Sequence, residues 1–130
     1  MPSLDTNVLL RLFLQDNISQ YQAAIKTIRS YDKIALADTC IQEAVFVLEK
    51  VYKLEREAVG VFINTLLNNQ HLNFNRPMYS RALPIYLGHL KLSFYDCCLA
   101  IYADLNGDTP LLTCDKNLAK QLPDLTKLLV

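Results

Sequence analysis

The chain has 130 residues, 52% of them hydrophobic, which is enough for one domain with a full core. Thirteen basic residues balance thirteen acidic ones, which argues against binding bulk nucleic acid through net charge alone. No apolar run reaches the roughly 20 residues of a membrane helix, and the N-terminus lacks the pattern of a signal peptide. The sequence therefore predicts a soluble, cytoplasmic protein with no membrane partner.

Four cysteines occur, at positions 40, 97, 98 and 114, and they fit neither a zinc site nor a disulfide framework. We expect all four to be small buried thiols in a reducing compartment. A redox role for Cys97 or Cys114, each next to an acidic residue, is the alternative.

The first half of the chain alternates apolar strand-like runs with helical periodicity. Asp5 is placed to cap the first helix, and Asp38 or Thr39 to cap a long helix that reaches about Tyr52. The predicted elements are a strand at 2–4, helices at 6–14 and 18–31, a strand at 33–37 and the long helix.

The second half continues the alternation. Pro77 opens a helix that ends near Lys91, and Pro84 inside it is a site for a kink or interruption. The other predicted elements are a helix at 55–69, a strand at 71–74, a helix from 93 to 106, a strand at 111–114, a helix at 116–122 and a strand at 126–129. Strands alternating with helices indicate an α/β fold with a parallel sheet covered on both faces.

Four acidic residues lie where such a sheet binds ligands. Asp5 and Asp115 follow predicted strands, while Glu43 and Asp96 lie in early turns of helices. Oxygen ligands of this kind suit Mg²⁺ or Mn²⁺. We therefore expect the four carboxylates to converge on one divalent-cation site at the carboxyl ends of the strands.

Helix capping is the competing interpretation for three of the four. Asp5 and Asp115 fit N-caps, and Ser93 with Asp96 fits a capping box. Glu43 has no such explanation, because it lies inside a helix with Cys40, Phe46 and Val47 among its neighbours. A glutamate on this largely apolar face indicates a nearby cation.

The runs DTNVLLR from Asp5, IQEAVFVL around Glu43, FYD ending at Asp96 and LTCDK around Asp115 together resemble the motifs of PIN-domain ribonucleases, specifically VapC-type toxins. The resemblance covers nearly the whole chain. It implies a single domain over 1–130 and a three-layer α/β/α sandwich with about five parallel strands in the order 3-2-1-4-5. It also implies Mg²⁺- or Mn²⁺-dependent cleavage of RNA, a homodimer and a cognate antitoxin.

Residue roles follow from the resemblance. Asp5, Asp96 and Asp115 would bind the metal, and Glu43 would bind it through water or orient the attacking water. The candidates for supporting contacts or substrate contacts are Thr6, Asn7, Thr113 and Asn117, and those for phosphate contacts or plain solvated surface are Arg11, Lys50 and Lys116. Asn117 departs from the family pattern, since many relatives carry an acid there, and Cys114 replaces an aromatic residue.

Two rival functions are weighed against the nuclease. One is a non-catalytic PIN-like binding or assembly module. The other is a receiver domain, which the absence of an isolated mid-sheet aspartate with a later strand-end lysine disfavours. We also expect an antitoxin helix to lie on the apolar faces of the helices at 18–31 and 55–69, near Tyr21, Tyr31 and Phe62. Packing within one domain is the alternative use of those faces.

Overall fold

Seven helices and four short strands make up the computed structural model, which describes residues 1–130. The strands are β1 (Ile34–Ala35), β2 (Leu72–Asn73), β3 (Leu111–Thr113) and β4 (Thr126–Leu128). The helices are α1 (Thr6–Leu14), α2 (Ile18–Arg29), α3 (Asp38–Lys50), α4 (Arg56–Leu67), α5 (Arg76–Gly88), α6 (Phe94–Leu105) and α7 (Lys116–Gln121). Every predicted helix is present, and the α/β class is confirmed. None of the seven helices has the length and apolar character needed to cross a lipid bilayer.

The contacts divide the chain into two units, Met1–Asn75 and Arg76–Val130. In the first unit, β1 and β2 pair in parallel, with Ile34 opposite Leu72. The strand predicted at 2–4 is reduced to a single parallel bridge between Ser3 and Ala35. It ends there because Asp5 adopts the N-cap conformation of α1, which turns the chain into a helix at the next residue.

The core of the first unit is built from apolar faces of its helices. The side chains of Leu9 in α1, Ile41 and Leu48 in α3, and Phe62 in α4 are almost completely buried. The predicted cap of α3 is wrong, because Ala37 occupies the N-cap position without a side-chain hydrogen bond. Asp38 is instead the first helical residue, where its charge favours the positive end of the helix dipole.

In the second unit, β3 and β4 pair in parallel, with Leu111 opposite Thr126. Helices α5 and α6 pack around Phe94, whose ring is stacked 6.1 Å from Tyr79 and lies edge-on 5.2 Å from Tyr86. Pro84 lies inside α5 and does not interrupt it, so α5 continues to Gly88.

None of the four cysteines forms a disulfide, and three of them are buried as predicted. Cys114 is exposed, so the expectation of burial is wrong at that position. It follows β3, whose central residue Leu112 is itself exposed, in the short connection that leads to α7.

The predicted five-stranded sheet is not confirmed. The strands form two separate parallel pairs. Counting the bridge at Ser3 as the first predicted strand, the first unit has the order 3-2-1, and the second unit pairs the fourth and fifth. These two orders match the 3-2-1 and 4-5 parts of the predicted strand order 3-2-1-4-5.

Candidate active site

Asp5 is the N-cap of α1, as its capping interpretation predicted. Its Oδ1 atom accepts a hydrogen bond of 2.8 Å from the Thr6 amide, and the side chain is exposed. This bond uses one of two carboxylate oxygens. Capping and cation binding therefore do not exclude each other at Asp5.

Thr6 joins two of the predicted acids. Its amide donates to Asp5, and its buried hydroxyl donates to Oε2 of Glu43 over 3.0 Å. The same hydroxyl lies 3.6 Å from Sγ of Cys40. Thr6 and Glu43 are 37 positions apart in the sequence. Their contact thus places Asp5 and Glu43 next to the same residue, Thr6.

Glu43 lies on α3 and is exposed, which corrects the expected apolar setting. Phe46, one turn further along the helix, is 59% exposed, so the face they share is open to solvent. Lys50 is also exposed, in the last turn of α3. The apolar character of this stretch comes instead from Ile41, Ala44 and Val45, which are buried.

Cys40 lies on the buried side of the same contact. Burial raises the pKa of the Cys40 thiol, and the negative charges of Asp5 and Glu43 raise it further, against a lowering by the Thr6 hydroxyl. The thiol is therefore kept protonated next to the two carboxylates. Sequence reasoning did not connect Cys40 to the site, although its position three residues before Glu43 puts both on neighbouring parts of the helix.

Arg11 is held at the other end of α1. Its Nη1 atom lies 2.8 Å from Oδ1 of Asp16, and Nη2 donates to the Tyr52 hydroxyl over 3.0 Å. The hydrogen bond with Tyr52 raises the pKa of Arg11, burial lowers it, and Asp16 raises it again. A phosphate contact by Arg11 would compete with both partners. No sequence pattern indicated Tyr52, which lies 41 positions away.

In the second unit, Asp115 caps α7. Its Oδ1 atom accepts hydrogen bonds from the amides of Asn117 at 2.9 Å and Leu118 at 3.1 Å. The Asp115 amide in turn donates to Oγ1 of Thr113 over 2.9 Å. Asp115 is exposed, and these contacts leave its second carboxylate oxygen unused.

The Asn117 side chain makes a hydrogen bond that the sequence did not indicate. Its Nδ2 atom donates to the main-chain carbonyl of Lys91 over 3.0 Å. An ionised aspartate at this position has no proton to donate. The bond ties the start of α7 to the segment just before Ser93, which is the N-cap of α6.

Asp96 lies in the first turn of α6 and is half-buried. Its amide donates to Oγ of Ser93 over 3.1 Å, which is the first of the two bonds of the expected capping box. That bond uses the main chain of Asp96 and not its carboxylate. Lys116, at the start of α7, is exposed.

Each of three carboxylates has an oxygen left for a hydrated hard cation. The carboxylates of Asp5, Glu43 and Asp115 use a single oxygen in the contacts described, and Mg²⁺ is commonly bound by one or two carboxylates while keeping several waters. The structure contains no group of three or more His, Cys, Asp or Glu side chains arranged to hold a metal ion. The donor set suits Mg²⁺ or Mn²⁺ and lacks the nitrogen and sulfur ligands usual for zinc.

Comparisons with known proteins show the family of the chain. The family described as PIN domain matches residues 3–121, a range that includes all four acids. The chain is also similar to a protein named VapC ribonuclease from Aquifex aeolicus (strain VF5), with 29% identity over 116 residues. The match covers 82% of this chain and 82% of that relative.

Proposed function

The chain belongs to the PIN-domain family and is of the VapC type, and from that premise we propose that it is a divalent-metal-dependent endoribonuclease. The observation that carries the proposal is the Thr6 contact, which holds Asp5 and Glu43 together. The buried Thr6 hydroxyl donates its hydrogen bond to an exposed glutamate, which fixes the orientation of the Glu43 carboxylate.

In the proposed reaction, Asp5, Asp96 and Asp115 would hold Mg²⁺ or Mn²⁺, with Glu43 reaching it through water. When bound, the cation lowers the pKa of its water and offsets charge on the phosphate. Thr6 fixes Oε2 of Glu43 and leaves Oε1 to accept the proton of the attacking water. The capping bonds fix Asp115 in a similar way, with one oxygen toward the α7 amides.

The proposal includes one shared cation for the acids of both units and a continuous sheet in the order 3-2-1-4-5. Its support is the matching strand order within each unit and the position of Asp5 and Asp115 after strands. Mn²⁺ broadens the NMR signals of nearby nuclei. We expect the amides of Thr6 and Asp96 to broaden at the same Mn²⁺ concentration. Broadening in one unit alone contradicts a shared site.

Cleavage of RNA tests the function directly. Purified protein should cleave single-stranded RNA with Mg²⁺ or Mn²⁺ present and stop when EDTA is added in excess. The proposal fails if cleavage persists in EDTA with metal-free buffers. An absence of cleavage by metal-loaded protein freed of any partner would favour the non-catalytic assembly module.

We further propose that the protein is the toxin of a toxin–antitoxin pair in the cytoplasm. The support is an apolar groove of about 340 Å³ among α1, α2 and α4. Phe13 and Phe62 lie edge to face in its wall, 5.1 Å apart, and Tyr21 and Ile25 line it from α2. Such a groove suits the apolar face of an amphipathic antitoxin helix. Phe62 itself is buried, and Tyr31 is exposed but does not line the groove.

A homodimer is the last part of the proposal. Tyr95, Tyr102 and Leu105 are 60%, 49% and 42% exposed on α6. Their spacing puts them on one side of the helix, where a second copy could cover them. Light scattering checks the assembly, since a monomer at high micromolar concentration contradicts it. Co-purification with the product of a neighbouring small gene checks the antitoxin.

A further inference from the structure

A second cavity lies in the first unit, between α1 and α2. Its volume is about 440 Å³, within the usual range of small-ligand sites. Leu4, Val8, Ala23 and Ala24 supply its apolar lining. A flat, largely apolar group of moderate size fits this surface.

Two side-chain amides line the cavity from opposite helices. Asn7 is in the first turn of α1, and Gln20 is in the first turn of α2. Both are exposed, and Gln20 uses only its main-chain amide in the cap of α2. Neither side-chain amide has a hydrogen-bond partner within the chain, so each offers a donor and an acceptor to a ligand.

The lining offers no ion-pair partner to a cationic ligand. It contains no acidic residue, and Arg11 is its one charged member. Arg11 is anchored by Asp16 and Tyr52, so this positive charge is fixed in the wall. Because Asp16 pairs with Arg11, the lining is close to neutral, which suits an uncharged ring.

The cavity also begins beside the candidate catalytic residues. Asn7 follows Asp5 by two positions, which is about 3 Å along a helix axis. It directly follows Thr6, which holds Glu43. A nucleotide whose phosphate lies at Asp5 is thus within reach of the cavity with its base.

We propose that this cavity binds one nucleobase of the RNA, next to the phosphate that is cleaved, and that the base is adenine. The inference rests on the proposed nuclease function. Asparagine and glutamine amides pair with the adenine edge through one donor and one acceptor. Unstacked bases of single-stranded RNA are recognised through such edges together with apolar or aromatic contact. The cavity would therefore set the sequence preference of cleavage.

The first test needs no catalysis. AMP and CMP are titrated separately into metal-free protein, and the NMR signals of Asn7, Gln20 and Ala23 are followed. AMP should shift these signals and bind at least about tenfold more tightly than CMP, which corresponds to about 1.4 kcal/mol. Equal binding of the two nucleotides, or no shift at these residues, overturns the inference.

Two variants locate the binding. Ala23→Phe fills the cavity, and Gln22→Phe adds the same side chain at an exposed neighbouring position that does not line it. AMP affinity should fall at least about tenfold in Ala23→Phe and stay unchanged in Gln22→Phe. Gln20→Ala removes only exposed atoms, so it tests the contact even if Ala23→Phe does not fold. Unchanged AMP binding in Gln20→Ala contradicts the proposed amide contact.

Sequencing of cleavage products from a random RNA pool separates this inference from the nuclease proposal. Wild type and Gln22→Phe should cut next to adenine, and Gln20→Ala should lose that preference. RNA cleavage with identical cut sites in both variants refutes the base pocket and leaves the nuclease standing. Specific AMP binding without any cleavage refutes the nuclease instead. Loss of antitoxin binding in Ala23→Phe, with AMP binding intact, would assign the cavity to the antitoxin and overturn the inference.

Discussion

The two units position their acids in different ways. In the first, the Thr6 amide donates to Asp5, and the Thr6 hydroxyl donates to Glu43, which lies 37 positions further along the chain. In the second, Asp115 is fixed by amides two and three residues away, and Asp96 lies one turn from its cap Ser93. The first pair depends on tertiary packing and one hydroxyl, whereas the second depends on local helix starts. Side-chain substitutions should therefore distinguish the units.

Removing one of the proposed metal-binding carboxylates should have the largest effect, and it should be equal in both units. We expect Asp5→Asn and Asp96→Asn each to lower kcat/KM for RNA at least about a hundredfold, because several kcal/mol of charge stabilisation is lost. Asparagine caps helices about as well as aspartate, so Asp5→Asn should fold normally. Asp124→Asn changes an exposed acid outside the site and is the control. A variant with wild-type rates would remove its residue from the site.

Substitutions of two threonines, Thr6 and Thr113, test the difference between the units. Thr6→Val keeps the shape but releases Glu43, so we expect cleavage to fall about ten- to a hundredfold. Thr6→Ser should restore most of the activity. Thr113→Val is the matched change in the second unit and should cost less than about threefold, because the Asp115 side chain keeps both amide contacts. Equal losses at both positions would contradict the proposed difference.

Added Mg²⁺ should stabilise the folded protein without any RNA. At ten times the dissociation constant we expect about 1.4 kcal/mol, seen as a rise in the Tm by scanning calorimetry. The rise should be much smaller in Asp5→Asn, which lacks a ligand, and unchanged in Asp124→Asn. Identical Mg²⁺ responses in Asp5→Asn and wild type would mean that Mg²⁺ binds elsewhere.

Substitutions of Asn117 should have the smallest effect, and they distinguish a structural role of this residue from a role as a metal ligand. If its amide ties α7 to the Lys91 carbonyl, Asn117→Asp should cost roughly 1 kcal/mol of stability and weaken Mg²⁺ binding slightly. Hydrogen exchange at residues 91–96 should become faster. If position 117 is instead a direct metal ligand, the added carboxylate should tighten Mg²⁺ binding. Isothermal titration with Asn117→Asp and Asn117→Ala separates the two outcomes.

The sequence predicted the helices well because their signals are local. Helix α1 begins and ends where expected, since Asp5 caps it and apolar residues recur at helical spacing up to Leu14. The first strand was overestimated because the same cap turns the chain into a helix after one bridge. The five-stranded sheet depends on pairings between distant segments, which local patterns do not specify.

The residue types of the candidate site could be proposed from the sequence, but most of their contacts could not. The motifs led to the prediction of the four acids, which stays a prediction, but the exposure of Phe46 beside Glu43 required the packing of α3. Residue type alone indicated a weak metal ligand at Asn117, whereas the structure shows which of its atoms is engaged. The Arg11 contact with Tyr52 joins the end of α1 to the residues after α3, and no spacing rule connects those segments.

Because β3 pairs with β4, the strand that leads to Asp115 depends on residues 126–129 for its hydrogen bonds. The strand that leads to Asp115 has its hydrogen-bonded partner in the last stretch of the described sequence, and the Leu129 amide donates to the Thr113 carbonyl over 2.9 Å. A ribosome that stalls before residue 126, or a protease that trims back to it, leaves β3 without that partner. Either change exposes the main-chain groups of β3 beside Asp115, and a tag fused close behind residue 129 needs a flexible spacer to spare this pairing.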